Sequence, residues 1–341
     1  MKGWTTSGVT DSPIPGSPST PRARRLCPVR VVALAGGIGA GKFLRGLLRV
    51  VPPRDVTVVV NTADDIELHG LHVSPDLDSI VYWLGTVMDR ERGWGRRDDT
   101  FRTTEELRRF GAEGSWFGLG DLDLATHLFR TGLLRSGATL SEATARVAAR
   151  FGLACRVLPM SDDPVTTRIE AVCMGRWRDL HFQEYWVQRR AADEVKAVRY
   201  EGATEARPAP GVLDAIAGAE AVVLPPSNPV ASIGPILAVP GIREAMAARR
   251  PWAVGVSGIV GGAPLAGMAD RLLPVVGVDV SAAGVAGLYR DLLSGWVIDR
   301  ADESLRPRIE AHGLRVAVTD TVMTGDTAAE HVARTALSLL P

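Results

Sequence analysis

The chain has 341 residues, 46% apolar and 23% charged, with 39 basic residues balancing 39 acidic ones. That is ordinary globular composition with enough apolar content for a substantial core, and a zero net charge favours neither nucleic acid nor an acidic membrane surface as partner. No apolar run approaches the ~20 residues of a membrane span. Cys27, Cys155 and Cys173 show no CxxC and no His-paired spacing. They read as reduced thiols of a cytoplasmic protein, and six histidines without paired spacing argue against a zinc site.

In chain order, residues 1–27 are rich in Ser, Thr, Pro, Gly and Arg and read as a disordered extension. Residues 28–341 read as a single domain. A short apolar strand over 28–35 ends in GGIGAGK, and helical spacing follows. Gly36 and Gly37, with Lys42 behind them, make a phosphate-loop candidate, because backbone N–H groups approach an anion closely where Cβ atoms are absent. Phe43 occupies the Ser/Thr position of a P-loop, and Lys42 stands where the last Gly of GxGxxG belongs, so neither standard motif is met. A tight turn with packing glycines is the plainer reading.

The second strand, 56–60, runs into Asn61 and then Asp64 and Asp65; Asp76 and Asp78 open the next helix. Adjacent carboxylates in a strand-end loop repel unless a cation or donors satisfy them. Carboxylates beside phosphate oxygens are the usual Mg²⁺ environment, and one of the four could take a proton from an attacking hydroxyl. Sequence does not divide ligand from base among them, and an N-cap is the bland role for Asp76.

Residues 88–100 form a polar loop holding Trp94 and four arginines, Arg90, Arg92, Arg96 and Arg97, suited to phosphates or simply solvated. A helix from Asp121 carries His127, and TLSE at 139–142 is a capping-box signature. Residues 153–203 read as a β-rich insert with strands over 156–159, 166–174, 180–187 and 195–200. Its HFQEYW segment suits a lid, a dimer surface or plain packing. The α/β rhythm returns at 210. The strand over 219–224 ends in PPSNP, where Ser227 and Asn228 make a second anion-binding layout, and the strand over 252–256 ends in SGIVGG. Helices are expected over 265–273 and 282–293. The whole predicts an α/β, Rossmann-like, mostly parallel sheet with helices on both faces and a small β-rich insert.

The stretches GGIGAGKFLRGL, VVVNTADDIELHGLHVSPDLDSIVYWLG, RGWGRRDDTF, WFGLGDLDLATHLFR, LPMSDDPVTTRIE, HFQEYWV, PPSNPVASIGPIL and GMAD, in this order, resemble the 2-phospho-L-lactate transferase family (CofD/FbiA) of coenzyme F-420 biosynthesis. The resemblance runs from about Val31 to near the end. It implies transfer of a phospho-acid (phospholactyl, phosphoenolpyruvyl or phosphoglyceryl) from a guanylylated donor to the ribityl hydroxyl of the deazaflavin Fo, with Mg²⁺ assisting and GMP released. By motif, Asp64 or Asp65 would bind the metal, and Asp78 and the Gly118 region would contact the deazaflavin. The Gly36–Lys42 loop with Ser227 and Asn228 would hold phosphates or guanosine. Asp65→Asn is then expected to abolish turnover, and a homodimer is expected. Gly258 replaces a family proline, and Ala263 stands where a lysine is common, which bears on the acid carried. The alternatives are a nucleotide-sugar-binding regulator like the gluconeogenesis-factor (YvcK-like) proteins, against which the GLGDLDLATH and SPDLDS blocks stand, and a P-loop NTPase, against which Phe43 stands.

Overall fold

The structure, a computed structural model, describes Gly3 and residues 30–341. The extension expected over 1–27, and Cys27 with it, otherwise lies outside the described residues. β1 (Val31–Ala35) leads to α1 (Gly37–Val50), and β2 (Val56–Val60) to a short hairpin, β3 (Ile66–Leu68) and β4 (Leu71–Val73), then α2 (Pro75–Leu84). Next come α3 (Arg102–Arg109), α4 (Asp121–Arg135), α5 (Leu140–Arg150) and β5 (Arg156–Pro159). β6 (Thr166–Cys173), β7 (Arg176–His181) and β8 (Glu194–Glu201) form a separate antiparallel sheet. Then follow α6 (Val212–Gly218), β9 (Ala221–Leu224), α7 (Gly234–Ala238), α8 (Ile242–Ala248), β10 (Ala253–Val256) and the hairpin β11 (Ile259–Val260) and β12 (Ala263–Pro264). The chain closes with α9 (Ala269–Leu272), α10 (Ala282–Leu288), β13 (Gly295–Asp299), α11 (Arg306–Glu310), β14 (Arg315–Thr319) and α12 (Asp326–Ser338).

The main sheet has seven parallel strands in the order β14-β13-β10-β9-β1-β2-β5. Each of its central strands is apolar throughout because both faces are covered. Val32 and Leu34 enter one core with Val59, Val222 and Leu224; Val31, Ala33 and Ala35 enter the other with Val58, Val60 and Val223. From β1 the chain winds outward through β2 and β5, then returns to β9 on the other side. That reversal opens a crevice beyond the carboxyl ends of β1 and β9, where open α/β sheets bind their ligands.

Three expectations change. Residues 156–159 do not belong to the insert: β5 pairs parallel with β2, Thr57 opposite Arg156, as the edge of the main sheet. Val157 and Leu158 point into the two different cores, whereas β6 alternates buried with half-buried residues, and that contrast separates the two sheets. The expected strand over 180–187 stops at His181 and gives way to a π-helical turn, Glu184–Gln188. The helices expected over 265–273 and 282–293 shorten to α9 and α10. The capping box is present, with Thr139 Oγ1 accepting from the Glu142 N–H.

Candidate functional site

A cavity of about 840 Å³ occupies the crevice, within the ~300–1,000 Å³ of small-molecule sites. Segments following five strands, β1, β2, β9, β10 and β14, line it. After β1, Gly36 is the only residue before α1 begins, so the Gly-rich stretch is a one-residue turn and not a long phosphate loop. Packing demands these glycines: a Cβ on Gly36 would lie 2.3 Å from Asp76 Oδ2, and one on Gly39 would lie 2.4 Å from the Pro226 carbonyl oxygen. Gly37, at φ +76, starts the helix on the cavity wall, and Lys42 lines the same wall one turn later. After β9, the Ser227 hydroxyl accepts the Gly36 N–H at 3.4 Å. Asn228 Oδ1 accepts the N–H groups of Val230 and Ala231, fixing the next turn.

The end of β2 carries the carboxylates, and the structure regroups them. Asn61, fully buried, donates from Nδ2 to Asp64 Oδ1 (3.1 Å) and to Asp76 Oδ2 (2.9 Å). The hairpin β3–β4 doubles the chain back, so Asp76 returns beside Asp64. Gln183, from the insert, donates to Asp64 Oδ2 at 3.0 Å. Ser74 takes the N-cap position of α2, so Asp76 is not a cap. Burial first, then the charges of Asp76 and Asp65, hold the Asp64 carboxyl well above its ordinary 3.8. Burial pushes Asp76 up to about 6 against hydrogen bonds from Asn61, Ser232 and the Gly37 N–H.

Asp65 and Asp78 are used differently. Asp65 is off the cavity wall, its Oδ2 held by His72 Nε2 (2.9 Å) and the Ser74 hydroxyl (2.7 Å), its Oδ1 buried without a partner. Asp78 reaches the wall but is gripped by both terminal nitrogens of Arg130, itself 1% exposed. His127 lies 3.3 Å from Asp123 and 3.6 Å from Asp78, and the Tyr82 hydroxyl donates to Asp123 at 2.6 Å. Burial pushes Asp123 up, but His127, Tyr82 and Arg130 outweigh it and leave the carboxyl below its ordinary value.

Aromatic residues also reach the cavity. Trp94, Phe117, Gly118 and Trp186 line it; a Cβ on Gly118 would meet the Trp94 ring at 3.0 Å. The loop arginines are otherwise engaged: Arg92 and Arg96 donate to backbone carbonyls, Arg97 pairs with Asp98, and Arg90 reaches Asp326.

Among the described residues no cluster of three or more His, Cys, Asp or Glu side chains is arranged to hold a metal. A hard divalent cation such as Mg²⁺ needs only one or two carboxylates alongside phosphate oxygens and water. Asp64 and Asp76 meet that need: both face the cavity, and among the described residues neither is paired with a basic side chain. Asn61, Gln183, Ser232 and Arg130 lie within the stretches that carry the resemblance but do not read as site residues, because the contacts of Gln183 and Arg130 with Asp64 and Asp78, and of Asn61 and Ser232 with Asp76, form only on folding.

The sequence profile of the family described as 2-phospho-L-lactate transferase CofD matches residues 31–336. The chain is 50% identical to a phosphoenolpyruvate transferase of Streptomyces griseus over 312 residues, 91% of this chain and 98% of the relative. It is 41% identical to a 2-phospho-L-lactate transferase of Methanosarcina mazei over 297 residues, 86% and 95% of the two chains. Among solved structures, protein BH3568 of Bacillus halodurans matches with a TM-score of 0.59 at 18% identity, over 91% of this chain and 99% of that one, which shows a shared fold. The chain belongs to the 2-phospho-L-lactate transferase CofD family.

Proposed function

We propose that this member of the family moves a phosphoenolpyruvyl group from a GMP-pyrophosphate-linked donor to the terminal ribityl hydroxyl of the deazaflavin Fo, releasing GMP. The observation that carries the reading is one cavity that holds both a carboxylate pair with no basic partner among the described residues, beside a helix N-terminus, and a set of aromatic side chains. The choice of acid rests on the relatives. Those named phosphoenolpyruvate transferase reach 50% identity, and those named 2-phospho-L-lactate transferase reach 41–42%.

In this reading the N–H groups opening α1, Lys42, and the Ser227–Asn228 turn receive the donor's phosphates. Trp94, Phe117 and Trp186 give the flat ring of Fo its stacking surface. The ribityl oxygen attacks the phosphorus that bears the acid, the bond from that phosphorus to the GMP oxygen breaks, and GMP takes the electron pair. Phosphoryl transfer mainly needs positioning and charge neutralisation. Asp64 would hold Mg²⁺, which when bound neutralises charge on the phosphate oxygens. Asp76, with its raised proton affinity, takes the hydroxyl proton.

The test is to incubate the purified protein with Fo, Mg²⁺ and each of three guanylylated donors, carrying phosphoenolpyruvate, 2-phospholactate or 3-phosphoglycerate, and to follow GMP and the deazaflavin product by mass. The phosphoenolpyruvyl donor is expected to be used best. No product from any donor overturns the transferase reading, and a faster phospholactyl donor overturns the choice of acid.

A further inference from the structure

The donor's third anionic group, the acid's carboxylate, finds no Lys or Arg on the segments that directly follow the strands, among the described residues. Lys42 and Arg190 supply the cavity wall's Lys and Arg side chains among the described residues. Lys42 sits on α1, where the phosphates are received. Arg190 comes from the insert, next to the π-helical turn that brings Phe182, Gln183 and Trp186 to the cavity.

The local chain holds Arg190 in an unusual way. Arg190 and Ala191 both take left-handed backbone, at φ +54 and +48. Two consecutive non-glycine residues in that region are costly, on the order of 1 kcal/mol each, and persist only where neighbours fix them. Tyr185, fully buried, does so from both ends: its carbonyl accepts the Ala191 N–H at 2.9 Å, and its hydroxyl donates to the Ala191 carbonyl at 3.4 Å. On the other side, Arg189 grips Asp193 with two nitrogens. Of two adjacent arginines, one is thus spent on anchoring the corner. The other has no ion pair or side-chain hydrogen bond among the described residues and stands on the cavity wall. Strained backbone and π-turns collect at functional sites, and here both stand beside an exposed cation at the cavity.

We propose that Arg190 is the specificity-determining clamp for the carboxylate of the transferred phospho-acid, presented by the Tyr185-locked corner of the insert. The guanidinium fork matches a planar carboxylate bidentately. The insert would then read the acid while the strand ends read the phosphates. The inference rests on the transferase reading above.

The experiment compares two donors in wild type, Arg190→Gln and Arg190→Lys: the guanylylated phosphoenolpyruvate, and a guanosine diphosphate ester of ethanol, which keeps both phosphates and lacks the carboxylate. The readout is the ratio of kcat/KM for the two donors, which cancels any general damage to a variant. Wild type is expected to prefer the carboxylate donor by about 10- to 100-fold, as for a charge-assisted pair. The preference should collapse toward unity in Arg190→Gln, with Arg190→Lys between. A preference that survives in Arg190→Gln overturns the clamp, including the case where both donors lose equally because Arg190 holds phosphate. Wild type inactive with the ethanol ester, the phosphoenolpyruvyl donor and the other acids sinks the transferase reading, and the clamp with it.

Discussion

Two pairs of buried carboxylates flank the same cavity, and they are treated in opposite ways. Asp78 and Asp123 are matched by Arg130, His127 and the Tyr82 hydroxyl, so their charge is satisfied inside the protein. Asp64 and Asp76 receive neutral donors, Asn61, Gln183 and Ser232, and repel one another. Buried charge without a counter-charge is costly, and a fold keeps it where a ligand supplies the missing charge. The matched pair therefore reads as architecture, and in the proposed reaction the unmatched pair is where a cation and a proton would be handled. Substitutions should separate the two pairs cleanly.

The largest effect is expected at Asp64. Asp64→Asn should lower turnover by about 10³-fold, the scale of losing a key electrostatic partner of the transition state. The same change should stabilise the protein by about 1–2 kcal/mol, because it removes the repulsion with Asp76; the Gln183 amide can flip to accept from the new side chain. Thermal unfolding together with steady-state rates checks both, and a destabilised Asp64→Asn would mean the pair is not strained. The matched pair should answer the other way. Arg130→Met should cost about 3 kcal/mol of stability by stranding Asp78, and the double variant Asp78→Leu/Arg130→Met should recover most of it. Equal melting temperatures for wild type and Arg130→Met would show that the ion pair is not structural.

A smaller effect is expected with pH. Asp76 is raised to about 6 from an ordinary 3.8, so the folded state holds this proton more tightly than the unfolded chain. Its contribution to stability is therefore present below about pH 4 and is lost as pH rises through 6, the reverse of a salt-bridged aspartate. Activity should run oppositely, since the proposed role of Asp76 needs its ionised form. At low Mg²⁺, kcat/KM should fall about tenfold per unit below pH 6, and higher Mg²⁺ should move that limb to lower pH. A limb that ignores Mg²⁺ would uncouple Asp76 from the cation.

Much of this was legible before the fold was known. Apolar runs ending in small polar residues located the strands β1, β2, β9 and β10, and with them the site. The carboxylate cluster was visible, but its pairing was not. Asp64 and Asp65 are neighbours in sequence, yet the backbone aims them apart, and the hairpin that brings Asp76 to Asp64 has strands of only three residues. Arg130 was illegible because a lone arginine on an amphipathic helix looks solvated. β5 was absorbed into the insert because four residues carry too little periodicity to tell a parallel edge from an antiparallel ribbon. Around Arg190 the sequence shows only a charged turn, since the left-handed backbone there is held by Tyr185 and not by a glycine.

The smallest effect is expected at Asp65, which motif matching ranks equal to Asp64. Its Oδ2 already has His72 and Ser74, and its carboxylate is not on the cavity wall. An asparagine can keep both hydrogen bonds by presenting its carbonyl oxygen to them, leaving the amide nitrogen where Oδ1 now lies without a partner. What is lost is one charge behind the Asp64–Asp76 pair, and burial raises the proton affinity of that carboxyl. Asp65→Asn should therefore lower turnover by about tenfold or less, far short of Asp64→Asn, the scale of removing an outer-shell partner. Metal affinity, read by titrating Mg²⁺ against the rate, should weaken by a similar factor. If Asp65→Asn instead matches Asp64→Asn in both readouts, the unpartnered Oδ1 is itself a metal ligand, and the boundary between the matched and unmatched carboxylates runs through Asp65.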